Sequence, residues 1–488
     1  MIFDRVSAIA ASAPTTSGLR HGDTFLPYAD LVVRIERLAA GLVSRGIAAG
    51  DVVAFLLPNS PDIFVAAHAV VAIGAIAMPL GITATHAELA ALAGKTALAA
   101  VIASPALKPA AELLIADVAP TAQLFVSTDL AALEAPPARL PVLAPDTPAL
   151  YLSSSGSTGL PKIVPHTHAE LLADGTRTSD AWDLQPDDVA IDILPPNFAM
   201  GFLMGVTNVL SRGATTFYWS DPLPLALSRK KLLQAMEAHK VTFMGAVPAM
   251  YEIIAAQTGD FDLRLRLAFS GGAALKRPIF DAVRDRFGIT LRQAYGSTEA
   301  IMISHNDSAD PDATWASVGR PAGDARVTLA PYETEFGTDV GELMVKSSSV
   351  MSGYLGDADA NAQAFDSDGW FRTGDLASLD SEGRIFIRGR SKLLIEISGY
   401  KIDPIEVEDI LAAHPAIAES AVAGIPDPRS GNRLRAYVVR QSDVSEDEII
   451  RHARARLSIQ KVPAEIAFLD ALPRSPTGKL LRARLKEL

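Results

Sequence analysis

Between Tyr28 and Ser104 the chain switches hydrophobic period repeatedly, and that switching narrows the possible folds more than any other feature. In YADLVVRIERLAAGLVSRG, Leu31, Ile35, Leu38, Ala39 and Leu42 recur at helical spacing on one face, and Gly46 stops the run. DVVAFLLP follows, a continuous apolar run of strand length. The pattern then repeats with a helix from about Pro61, a strand at AIAMPL, a helix at HAELAALAG and a strand at AAVIAS. Strands apolar on both faces, alternating with helices, predict an α/β fold with a parallel sheet covered by helices on both sides. With 488 residues the chain has room for more than one such unit.

From Ile63 to His86 there is no Asp, Glu, Lys or Arg, a length that raises the question of a membrane span. Pro79 and Gly81 break its second half and His68 interrupts the first, so a buried helix running into a buried strand is expected instead. The opening MIFDRVSAIAASAP lacks the basic segment and long apolar core of a secretory leader. A soluble, cytoplasmic protein with no membrane span is the expectation. Basic side chains number 44 against 56 acidic ones, a net charge of −12 that argues against sequence-independent nucleic-acid binding. The chain has no cysteine, which excludes disulfides, thiolate nucleophiles and Cys-ligated zinc. Any thiol chemistry must use sulfur from a substrate.

The later part reads differently. RVTLAPY, VGELMVKS and GRIFIRGR are short strands parted by Gly-bearing turns, which predicts an antiparallel β part on the large domain. After Arg390 a helix, two strands and a helix follow in IDPIEVEDILAAHP, IAESAVAGIPD, LRAYVVRQ and SEDEIIRHARARL, a small α+β domain. The expected division is a large N-terminal domain at 1–389, a hinge at 390–392 and a small domain at 393–488.

Ser153 to Lys162, SSSGSTGLPK, is either a flexible spacer or a phosphate cradle. Apolar strands flank it closely, which disfavours a spacer. Gly156 and Gly159 allow several N–H groups to turn inward on an anion, Ser155, Ser157 and Thr158 offer hydroxyls, and Lys162 adds charge. It is neither the Walker pattern nor the G-x-S-x-G elbow. His166 and His168 in PHTH have no acidic residue closer than Glu170, so they are read as bracketing a helix start and not as metal ligands.

YLSSSGSTGLPK resembles the signature loop of the adenylate-forming superfamily, which includes acyl- and aryl-CoA synthetases, firefly luciferase and peptide-synthetase adenylation domains. QAYGSTEA, GELMVKSSSVMSGYLGD, GWFRTGDLASLDSEGRIFIRGR, SGYKIDPIEVE and PRSPTGKLLR resemble further motifs of that superfamily in the same order, so the likeness spans essentially the whole chain. It implies that a carboxylic acid reacts with ATP to give an acyl-adenylate and pyrophosphate, and that the acyl group then passes to coenzyme A or a carrier-protein pantetheine. A carboxylate repels attack; a mixed anhydride with AMP carries a good leaving group.

The resemblance assigns ATP binding to Ser153, Ser154, Ser155, Gly156, Ser157, Thr158, Gly159 and Lys162, to Gly272, Ala273 and Ala274, and to Gln293, Ala294, Tyr295, Gly296 and Ser297. Tyr295 packs on adenine, Thr298 bonds the α-phosphate, and Glu299 with Thr158 holds Mg2+. Asp375 and Arg390 take the ribose, and Lys401 contacts phosphate. Lys479 bridges carboxylate and phosphate during adenylation, carried by a mobile C-terminal domain that turns about Lys392. Ser398, Gly399 and Tyr400 line the tunnel for the CoA thiol.

The acid pocket is expected from Asn197, Phe198, Gly201, Gly245, Gly272 and Gly296. A gapless reading of LPPNFAMGF puts Phe198 where many relatives carry a pocket histidine; a shifted reading puts Asn197 where aryl-acid relatives carry a phenol-binding asparagine. The small residues Gly245, Ala246 and Gly272 predict room for an aryl or short-to-medium-chain acid. Ring and chain both stay open. A CoA ligase is the leading reading, beside a freestanding enzyme that loads a carrier protein and a non-catalytic acyl-binding relative.

Overall fold

The helix Tyr28–Ser44 buries Leu31, Ile35, Leu38, Ala39 and Leu42, the face its period marks out. The uncharged stretch becomes the helix Pro61–Ala72, buried at every position but Asp62, followed by the buried strand Ile76–Pro79. No helix among the described residues is long and apolar enough to cross a membrane. A computed structural model describes residues 1–155, 161–331, 339–390, 395–397, 400–402, 404–427, 431–457, 459–474 and 480–488.

The chain forms two units, Met1–Val327 with Val345–Phe371, and Thr328–Met344 with Arg372–Leu488. This division passes through the strand Val340–Lys346, whereas the sequence reading keeps everything up to 389 in the first domain.

The first unit holds two large sheets. In the six-stranded one the order is Gln123–Val126, Leu98–Ala103, Val52–Leu56, Ile76–Pro79, Pro148–Ser155, Pro161–Thr167. Its first five strands run parallel and the sixth turns back antiparallel. The nine-stranded sheet is parallel from Gly18–His21 through Thr215–Tyr218, Val189–Asp192, Phe243–Ala246 and Leu267–Ser270 to Arg292–Ser297, with antiparallel strands outside. Val52–Leu56, Ile76–Pro79 and Phe243–Ala246 are apolar and buried at every position, as strands covered on both faces require. One apolar core joins Leu31, Ile35, Phe64, Val70, Leu150 and Phe202.

The strands expected at RVTLAPY, VGELMVKS and GRIFIRGR appear as Arg326–Pro331, Val340–Lys346 and Ile385–Arg390 in a four-stranded sheet. Its remaining strand, Phe371–Leu379, was legible only as a motif. In the second unit the helix Pro404–Ala412, strands Ile417–Asp427 and Gly431–Arg440, and helix Glu446–Arg454 follow the expected order. A parallel third strand, Glu465–Phe468, and a short antiparallel pair of Ile395–Ile397 with Tyr400–Ile402 join them. Both escaped notice because neither is long enough to establish a period.

Candidate active site

In open parallel sheets, ligands gather beyond the carboxyl ends of the strands. Pro148–Ser155 ends at the serine-rich stretch, with Ser153 opposite Ile163, Ser154 opposite Lys162 and Ser155 opposite Pro161. The serines at 153–155 therefore belong to a strand that the sequence reading ends near Leu152, because the returning strand supplies their backbone partners. Gly156, Ser157, Thr158 and Gly159 lie outside the described residues, as do Lys392, Ser398, Gly399 and Lys479. The Lys162 ammonium lies 4.5 Å from the centre of the Tyr354 ring and 4.0 Å from Asp357 Oδ2.

In the other sheet, Arg292–Ser297 and Ile301–His305 pair antiparallel, with Ser297 opposite Ile301. Thr298 and Glu299 thus sit in the tight turn between them, where Ser297 Oγ accepts from Ala300 N at 3.2 Å. Ile301 closes this turn at φ 55°. A β-branched side chain there costs about 1–3 kcal/mol, so the surroundings must hold the turn in place. They do so from several sides. His166, fully buried, donates from Nε2 to the Thr298 carbonyl at 2.8 Å, and its Nδ1 lies 3.1 Å from Glu170 Oε2. Met351 N donates to the Glu299 carbonyl at 2.8 Å, and Tyr354 Oη donates to Glu299 Oε1 at 3.0 Å. Burial, reinforced by the Glu299 charge, pushes the Tyr354 phenol up, which keeps it a donor.

Beneath the turn, Asp174 and Arg177 on the helix His168–Ala181 form a buried ion pair at 3.1 Å. Arg177 also reaches Asp324 at 2.9 Å and bonds Ser349 Oγ, which donates to the Ala300 carbonyl at 3.1 Å. Asp174 Oδ1 accepts from Met302 N at 3.3 Å. Sequence reasoning missed this network. Its only signal was an Asp and an Arg on the inner face of an otherwise ordinary helix. His168 does begin that helix, whose cap is Thr167, paired in a capping box with Glu170. His166, however, reaches across to the Thr298 turn.

Of the nucleotide residues expected in this strand, Gln293 is buried and its amide donates to the Trp315 carbonyl at 2.7 Å. Tyr295 is half-buried and Gly296 exposed, at the end that carries Thr298. Gly272, Ala273 and Ala274 are exposed just beyond Leu267–Ser270.

Gly272 has φ 77°, and a Cβ there would meet Phe198 Cζ at 2.9 Å and Val247 Cγ1 at 3.5 Å. Met200 Sδ lies 3.3 Å from the corresponding point on Gly271. Phe198, Met200 and Val247 thus converge on the Gly271–Gly272 backbone at the strand ends, and none of them carries charge. The Asn197 amide is 3.3 Å from the Cβ position of Gly81. At Gly245 the missing side chain is space filled by the Phe269 ring and by Met204 Sδ, 2.7 Å from the Cβ position, so the glycine makes this core packing possible. Gly201 is likewise filled, its Cβ position 2.6 Å from the Pro195 carbonyl oxygen.

In the second unit Asp375 and Arg390 face each other across antiparallel strands, and Arg390 Nε donates to Asp375 Oδ1 at 2.6 Å. The Thr373 hydroxyl accepts from Asp375 N at 3.1 Å and donates to the Leu343 carbonyl at 2.7 Å. Tyr400 pairs with Ile397 and Lys401 with Glu396. Arg474 and Leu480 bridge antiparallel on either side of 475–479.

Among the described residues no group of three or more His, Cys, Asp and Glu could hold a metal ion. Glu299 instead presents a single carboxylate held by the Tyr354 hydroxyl, an oxygen donor that fits Mg2+ bound chiefly by nucleotide phosphates.

Residues 7–355 match the family model described as AMP-binding enzyme, and residues 406–479 match that of the AMP-binding enzyme C-terminal domain. The chain belongs to the AMP-binding enzymes. It is 33% identical to a feruloyl-CoA synthase of Amycolatopsis sp over 98% of this chain and 96% of that one. It is 30% identical to a sulfoacetate–CoA ligase of Cupriavidus necator over 99% of this chain and 98% of the relative. Among solved structures, o-succinylbenzoate CoA synthetase (MenE) from Bacillus subtilis, in complex with the acyl-adenylate intermediate OSB-AMP, superposes with a TM-score of 0.88. Identity to that structure is 26%, covering 99% of this chain and 98% of the other. The adenylate-forming fold expected from the motifs is the one observed.

Proposed function

We propose that this AMP-binding enzyme activates a monocarboxylic acid with an apolar aryl or medium-chain tail. It is an ATP-dependent carboxylate–CoA ligase of the AMP-forming kind, as its full-length relatives are. The single observation that carries the choice of acid is the convergence of Phe198 and Val247 on Gly272 and of Met200 on the adjoining Gly271. A tail bearing a second anion, such as sulfoacetate, would need a cation or several donors there to repay its desolvation. An apolar tail needs only shape, each buried methylene contributing about 0.8 kcal/mol.

In this reading Lys162, with residues 156–160, receives the ATP phosphates, and the Thr298 hydroxyl orients the α-phosphate. Glu299 would hold Mg2+, which supplies charge neutralisation on the phosphate oxygens. Tyr295 stacks on adenine and Asp375 with Arg390 takes the ribose. Lys479, on a C-terminal domain hinged at 390–392, neutralises the carboxylate as its oxygen attacks the α-phosphorus and pyrophosphate leaves. The CoA thiol then attacks the acyl carbon from the side of Ser398–Tyr400 and AMP departs.

The test is a panel of acids scored by pyrophosphate release and by thioester formation with free CoA. Hydroxycinnamates and medium-chain acids should turn over, with thioester formed by CoA alone, while sulfoacetate and oxalate should not. Preference for a doubly anionic acid, or thioester formation only on a carrier protein, would refute the reading.

A further inference from the structure

The segment Met351–Asp357 holds two of the charged side chains assigned to the nucleotide, Lys162 and Glu299, yet it carries none of the roles given above. Its backbone touches each neighbour: Met351 N donates to the Glu299 carbonyl at 2.8 Å, and Leu355 N donates to the Ile163 carbonyl, next to Lys162, at 3.0 Å. Between these two anchors stands Tyr354. Its hydroxyl donates to Glu299 Oε1 at 3.0 Å, and its ring face takes the Lys162 ammonium at 4.5 Å. Asp357 adds a carboxylate 4.0 Å from Lys162 and caps the helix Ala358–Ala364 through Ala360 N at 3.0 Å.

Tyr354 is itself gripped. Asn361 Oδ1 accepts from Tyr354 N at 2.6 Å and Asn361 Nδ2 donates to its carbonyl at 3.0 Å. Gly353, at φ 150°, lets Asn361 approach, since a Cβ there would lie 2.9 Å from Asn361 Oδ1. A phenol held so firmly in backbone, between a cation on its face and an anion at its tip, has more order than core packing demands.

We propose that Tyr354 is a positioning residue that sets the Lys162 ammonium and the Glu299 carboxylate in fixed relation, so that a triphosphate and its divalent cation are received together. One interaction serves each partner: the hydroxyl orients Glu299 and the ring orients Lys162. The proposal rests on the assignment of Lys162 and Glu299 to the nucleotide site, and the controls separate the two ideas.

ATP binding is titrated calorimetrically with Mg2+ and in EDTA, beside thermal unfolding, for the wild type and for Tyr354→Phe, Tyr354→Leu, Lys162→Ala and Glu299→Gln. Tyr354→Phe keeps the ring and should lower affinity about tenfold with Mg2+ while leaving the EDTA value nearly unchanged. Tyr354→Leu should lose about a further fivefold, now in EDTA as well. In a Glu299→Gln background Tyr354→Phe should add little. The proposal is overturned if the Tyr354 variants move only the melting temperature, or weaken binding equally with and without Mg2+, while Lys162→Ala and Glu299→Gln still impair MgATP binding. If those two controls bind MgATP normally, the site assignment fails and the proposal with it.

Discussion

Residue by residue, the motifs told which chemistry a side chain could serve but not always which space it fills. Lys479 sits in PTGK, and its proposed role separates the two half-reactions. Lys479→Ala should slow adenylation by orders of magnitude and leave thioester formation from preformed acyl-adenylate nearly intact, measured by supplying the adenylate directly. Equal loss in both steps would remove that role. Phe198 and Gly245 were both expected in the acid pocket, and the structure treats them differently. Phe198→Gly should broaden the acids accepted without abolishing ATP binding. Gly245→Ala should destabilise by about 1–3 kcal/mol by overpacking against Phe269 and Met204, with the ranking of acids unchanged. A changed ranking at full stability would assign Gly245 to the pocket. No local signal separates these cases, because a glycine's empty space is defined by residues distant in the chain. Tyr354 lay within a quoted motif, but its partners Lys162 and Glu299 are remote in sequence, so its place between them was invisible.

At the scale of elements, the turn carrying Thr298 and Glu299 is a strained structure kept in shape by a helix. The helix His168–Ala181 was expected, and Thr167 with Glu170 caps it as the S/T-x-x-E pattern allows. Its inner face then supplies Arg177, which links Asp174, Asp324 and Ser349 behind Ala300. Removing one member of a buried ion pair strands the other charge. Arg177→Met should therefore cost about 3–5 kcal/mol in urea unfolding. A cost under about 1 kcal/mol would show that the network carries no such weight. The serine strand makes the same point: residues 153–155 read as loop by composition, yet pair with 161–163 because a neighbouring strand offers its backbone. Composition reports what a segment prefers alone, and hydrogen bonds from a distant partner outweigh it.

Across the whole molecule, burial of neutral histidines gives the first unit a built-in sensitivity to acid. Burial holds His68 and His168 down to about 4, the N-terminal ammonium adding to the effect on His168; burial and then Arg292 hold His305 down to about 4. In the unfolded chain each titrates near 6.5, so the unfolded state takes up protons first as pH falls. Their contribution is complete above that value and is lost on acidification toward pH 4, by about 3 kcal/mol for a fully buried ring. The urea midpoint should fall steeply over that interval, and His68→Leu should reduce the slope by one proton; an unchanged slope would contradict the neutral buried state. The sequence by itself determined the alternating layers, the order of the motifs and hence the adenylate-forming family, since periodicity and motif chemistry are properties of neighbouring residues. Tertiary structure alone decided which glycines face open space, which strand the serines join, and how His166 reaches Thr298, a separation of 132 residues. The physical reason is that close packing and buried hydrogen bonds are made between segments, so their geometry exists only once the sheets have formed.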